Sequence, residues 1–196
     1  FLQGIYTLII VICLIFSAYF SATETAFSSL NRTRLKTMAE KGEKRAILAC
    51  KLSDQYDKLI STILIGNNIV NILAASVGTM LFVSLYGDAG ATISTIVLTI
   101  LVLIFGEVSP KSIAKDCPEK FAMLSAPFIH VLMAVFTPLN FLFSQWKKLL
   151  ARVFHLETSS KMSQDELLML VNEVQQDGSI DENEGDLLKN AIEFTD

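Results

Sequence analysis

The chain has little of what redox proteins and metalloenzymes are built from. Its 196 residues include two histidines, one tryptophan and three cysteines. Cys13, Cys50 and Cys117 are odd in number and form no CxxC or Cys/His grouping, so neither a disulfide framework nor a zinc site is indicated. No GxSxG or HExxH occurs, and His130 and His155 are not placed near a candidate nucleophile, so a non-enzyme is expected. His130 reads as a hydrogen-bonded interior residue rather than a ligand. There is no internal repeat and no low-complexity segment. The first apolar run lacks the basic stretch that opens a signal peptide. No Met stands at position 1, as in a trimmed chain.

What is abundant is apolar residues, at 52% with a mean hydropathy of +0.48, which is the composition of a membrane protein. The net charge of −4 hides a division. From Glu157 onward eleven acidic residues face only Lys161 and Lys189, whereas the earlier part carries fourteen basic residues against nine acidic. A basic-flanked membrane unit is therefore followed by an acidic soluble one.

Three runs are long enough to cross a bilayer, at about 5–27, 59–85 and 91–107. Between the first two, Arg32, Arg34, Lys36, Lys41, Lys44, Arg45, Lys51 and Lys58 crowd one connection, which the positive-inside rule assigns to the cytoplasm. Short amphipathic helices are expected over Arg34–Glu40 and Lys44–Leu52. Headgroup contact accounts for these charges, so no nucleic acid is expected as a partner. The connection Tyr86–Gly90 has no Lys or Arg, as befits an outside loop. The N-terminus is then outside and the tail cytoplasmic. A fourth apolar stretch, 121–146, has basic residues at both ends and contains Pro127 and Pro138. It reads as a Pro-broken belt or re-entrant segment whose halves are too short to cross.

Within these runs some polar residues are costly, because hydrocarbon offers them no partner. Asn67 and Asn71 share one helix face and Asn68 lies about 100° away. Ser17, Ser21, Glu24 and Ser28 form a polar stripe beside Ala18, Ala22 and Ala26. Gly106-Glu107-Val108-Ser109-Pro110-Lys111 should break or unwind the third helix and free carbonyls. The amides suit either an interhelical hydrogen bond or a hard cation, and Glu24 either a functional site or the inner surface. Measured from the flanking basic residues, these groups fall in the inner half of the membrane on three helices. An oxygen-lined pocket without thiolate or imidazole selects a hard cation such as Mg²⁺.

The motifs Ser17 to Ala26, Gly66 to Asn71 and Gly106 to Lys111 together resemble the membrane domain of the CorB/CorC magnesium transporter family, related to animal cyclin-M (CNNM) proteins. The resemblance implies a plasma-membrane homodimer that exports Mg²⁺ in exchange for Na⁺. It also implies that the acidic tail is a helical bundle leading to cytosolic ATP-binding CBS domains. Carried over residue by residue, the metal site is Ser21, Asn67, Asn71 and Glu107 with a backbone carbonyl near Gly106. Ser17, Glu24, Asn68 and Pro110 stand as surrounding or counter-ion positions. The alternative is a non-transporting scaffold or Mg²⁺-responsive regulator. The expected fold is an all-α membrane protein: a transmembrane domain over 1–156, with three transmembrane helices and the belt, then a cytosolic acidic helical hairpin over 157–196.

Overall fold

The computed structural model describes residues 2–153, 167–169, 171, 172, 175 and 181–193. They are almost entirely helical, with no strand among them, and they fall into two compact units, Phe1–Ser144 and Gln145–Asp196. Each is described by itself.

Helix α1 (Leu2–Ser29) is the first crossing. Helices α2 (Arg32–Glu40) and α3 (Lys44–Ser53) follow as the two expected amphipathic pieces. Asn31 caps α2, its side chain accepting from the Arg34 N–H at 3.0 Å, and α3 buries Ala46, Ala49 and Leu52 at helical spacing. Burial pushes the Cys50 thiol on α3 up, with Asp54 acting in the same direction and Lys36 against it. A 61-residue apolar helical run, Tyr56–Asp116, comes next. At 1.5 Å per residue it would measure about 90 Å, three bilayer cores in length. It doubles back at Gly87, whose φ of 62° is open to glycine without strain. Helix α4 (Tyr56–Tyr86) therefore lies antiparallel to α5 (Gly90–Leu101), so close that a Cβ on Gly78 would strike the Leu98 side chain. The descending limb comprises α5 and the π-helical turns Val102–Val108, 19 residues in all and about 28 Å long. With α1 and α4 it makes three crossings, as expected.

Two expectations about the prolines are corrected. The third helix neither breaks nor unwinds at Gly106–Pro110: it widens into the π-helical turns and continues as α6 (Ser109–Asp116). The Ser109 N–H reaches back five residues to the Ile104 carbonyl, and the wider turn makes room for the Pro110 ring, which an α-turn would press against the carbonyl of Gly106. Nor does Pro127 break the belt. Helix α7 (Pro118–Val135) runs through it unbroken, and the chain bends by 73° at Phe136 before α8 (Thr137–Val153), where Pro138 sits in the first turn and needs no helical donor. At 18 residues, α7 is longer than the half-segments expected from sequence.

The core of the first unit gathers α1, α2, α3, α4, α6 and α7 around Phe20, Phe27, Leu35, Leu52, Leu59, Ile63, Ile129 and Met133. Tyr19 secures α1 to α7, donating to the Ser125 carbonyl at 3.2 Å and meeting Phe128 edge-on. His130 is exposed and not interior, because Ala122, Ala126, Ile129 and Met133 form the buried stripe of α7 and His130 falls beside it.

In the second unit, α9 (Glu182–Glu193) opens with a reciprocal cap. The Asp181 N–H donates to Glu184 at 3.0 Å and the Glu184 N–H to Asp181 at 2.7 Å. The S-x-x-E spacing of the sequence predicts capping boxes at Ser163–Glu166 and Ser179–Glu182; Ser163, Glu166 and Ser179 lie outside the described residues, and the cap seen stands two residues beyond the second pair. Residues 167–169, 171, 172 and 175 are helical, and Lys189 donates to Gln175 at 3.0 Å.

Candidate functional site

The centre of the site is a hydrogen bond between crossings. Ser17 on α1, fully buried, donates to the Asn67 amide oxygen on α4 at 3.2 Å. Small residues permit the approach. A Cβ on Gly66 would stand 2.5 Å from the Phe20 ring, and one on Gly106 would stand 2.8 Å from Ser17 Oγ. Ser17, Asn67 and Gly106 thus meet at one level on three helices, as their depths suggested.

Ser21 and Asn71 do not sit at that level. Because α1 and α4 run antiparallel, Ser21 is one turn towards the basic end and Asn71 one turn towards Gly87, about 6 Å either side. Ser21 Oγ and Asn71 Oδ1 are nonetheless buried without a hydrogen-bond partner among the described residues. Native buried oxygens are rarely left so, and each such atom calls for an explanation. Asn71 opens into a cavity of about 280 Å³ between α4 and α5, shared with Ser94, Thr95, Leu98 and Thr99. Ser94 Oγ is a third buried, unpartnered oxygen there, and it was not singled out from the sequence. A serine in an apolar helix can satisfy itself on its own backbone, so its identity gave no signal.

Glu107 is half-buried and has no hydrogen bond or ion pair among the described residues. Pro110, half-buried at the start of α6, has no N–H to offer the Gly106 carbonyl four residues back. Glu24 is not free: Lys111 pairs with it at 3.4 Å, so it ties α1 to α6. Asn68 is exposed, turned away from Asn67 by the helical step, and its side chain makes no hydrogen bond among the described residues. No group of three His, Cys, Asp or Glu residues suited to a metal is present among the described residues. What the arrangement offers is a line of hydroxyl and amide oxygens, with the unpaired Glu107 next in the chain to Gly106. Neutral oxygens in that pattern suit a hard cation and leave a soft metal without its preferred donors.

Comparison with known proteins agrees with this architecture. Residues 8–184 match the family model described as Cyclin M transmembrane N-terminal domain. The UPF0053 inner membrane protein YfjD of Escherichia coli is 45% identical over 161 residues, covering 80% of this chain and 38% of that protein. A UPF0053 protein of Haemophilus influenzae is 40% identical over 169 residues, covering 85% and 40% respectively. A protein of the same organism named Polyamine export protein is 25% identical over 205 residues, covering 96% of this chain and 48% of that protein. The chain thus spans less than half the length of these relatives. With three helical crossings and a match over most of its length, it belongs to the cyclin M transmembrane N-terminal domain family.

Proposed function

We propose that this chain is the membrane unit of a Mg²⁺ transporter that exports the ion across the plasma membrane in exchange for Na⁺. The observation that carries the reading is the row of buried oxygens, with Ser21 and Asn71 unpartnered on either side of the Ser17–Asn67 bond. A cation entering from the basic end meets Ser21 and Glu107 first. It then displaces the Ser17 hydroxyl from the Asn67 amide oxygen and passes to Asn71 and the threonine-lined cavity. Mostly neutral ligands hold a divalent ion less firmly than a carboxylate cage, which favours release over storage. Membrane-protein character and one relative named for export support the transport class. The working unit is proposed as a homodimer with its N-terminus outside, its tail in the cytoplasm and cytosolic CBS domains as regulatory partners.

The relative named for polyamine export supplies a second reading. A linear polycation needs anionic or aromatic groups spaced along its length. Of the two acids among the predicted site residues Glu24 is paired with Lys111, and only Glu107, next in the chain to Gly106, has no ion pair among the described residues, so a compact hard cation fits better. Flux into proteoliposomes decides between them. Under an imposed Na⁺ gradient, Mg²⁺ should move with wild-type protein and fall to background with Asn71→Ala, while the variant elutes with wild-type size. Spermidine flux without Mg²⁺ flux would establish the second reading, and no flux of either would leave a scaffold or regulator.

A further inference from the structure

A second cavity, of about 200 Å³, opens at the lysine- and arginine-rich end between the end of α3, the start of α4 and the α7–α8 corner. Lys51, Lys58 and His130 line it together with Gln55, while Leu52 and Met133 form a buried apolar floor. Among the described residues no acid lines it: Asp54 and Asp57, nearby in sequence, are not part of its wall. The side chains of Lys51, Lys58 and His130 make no hydrogen bond or ion pair among the described residues, although the Lys58 carbonyl accepts from the Thr62 hydroxyl at 2.8 Å. The Thr137 hydroxyl at the rim already donates to the Met133 carbonyl at 2.8 Å. The residues that line this one concave space thus carry two ammonium groups, an imidazole N–H and a carboxamide N–H₂ that can serve it as donors.

The walls are held in place. Asn140 on α8 donates to Thr62 on α4 at 2.9 Å, both side chains being buried, which secures the corner beside the cavity. Beside His130 and Ala134, Val131 and Val135 lie on α7 with 58% and 60% of their surface exposed. An anion held by the donors would thus have apolar surface directly alongside, which a free ion does not need and a lipid does.

We propose that this cavity seats the phosphate headgroup of an acidic phospholipid of the cytoplasmic leaflet, with its acyl chains running over Val131 and Val135. Basic pockets between helices on the cytoplasmic side are suited to such headgroups. The inference is independent of which ion the chain carries.

Its test is a titration of purified protein, in uncharged detergent, with dihexanoyl phosphatidylglycerol, followed by the thermal unfolding midpoint. The wild-type midpoint should rise. Apparent affinity should fall roughly fivefold for each lysine removed, so about 25-fold in Lys51→Gln/Lys58→Gln. It should be unchanged in Lys41→Gln/Lys44→Gln, which removes the same charge elsewhere on the basic connection, and retained in Lys51→Arg/Lys58→Arg. Equal losses in the two glutamine pairs would overturn the proposal in favour of diffuse attraction. An equal response to dihexanoyl phosphatidylcholine, or a full response to inorganic phosphate alone, would overturn it too.

Discussion

At the scale of single residues, the buried oxygens without partners are the groups a cation would use. Asn67 and Asn71 were legible in the sequence because an amide in a long apolar run is expensive wherever it points. Their division of labour was not, since whether an amide bonds a neighbouring helix or stays open depends on which residue faces it. Asn67 is met by Ser17, and the Asn71 amide oxygen has no hydrogen-bond partner among the described residues. Glu24 shows the same limit, because its partner Lys111 lies 87 residues further along the chain. Gly106 gives a sharp test. In Gly106→Ala the new methyl would stand 2.8 Å from Ser17 Oγ, so either the hydroxyl or the π-helical backbone must shift and the bond to Asn67 is disturbed. Mg²⁺ flux should fall at least about tenfold while the protein still purifies folded, with a stability loss of about 1–3 kcal/mol, the usual cost of overpacking, measured by chemical unfolding.

At the scale of elements, the crossings and the two short basic helices could be read from hydropathy and charge, because the length of an apolar run and the change to a charged amphipathic one constrain them strongly. The prolines could not. Proline forbids one hydrogen bond, but the sequence does not say whether the chain breaks, widens or absorbs the defect. The descending limb widens around Pro110, α7 absorbs Pro127, and Pro138 falls in a first turn. The π-helical stretch sets Gly106 against Ser17, so its register matters to the site. Pro110→Ala restores an N–H opposite the Gly106 carbonyl and allows the turn to tighten. It should leave the thermal midpoint unchanged or higher, since proline is among the least favourable helix residues, yet lower Mg²⁺ affinity about tenfold or more in a binding titration. Unchanged affinity would mean that the wide turn serves the fold alone.

At the scale of the whole molecule, charge and burial divide the labour. The basic residues collect at one end of the crossings, the connection at Gly87 carries none, and the oxygens lie between. This order was visible in the sequence because each part is priced against a different solvent. Missing from it were the cavities, which arise where helices fail to touch and so have no signature in any one of them. The central claim is that the unpartnered oxygens await a cation. It is tested most directly by titrating purified protein with Mg²⁺, wild type against Asn71→Ala, and following the thermal unfolding midpoint. The expected result is a saturable rise for the wild type and none for Asn71→Ala, with K⁺ at the same ionic strength without effect on either. Equal rises in both proteins, or no rise in the wild type, would contradict it.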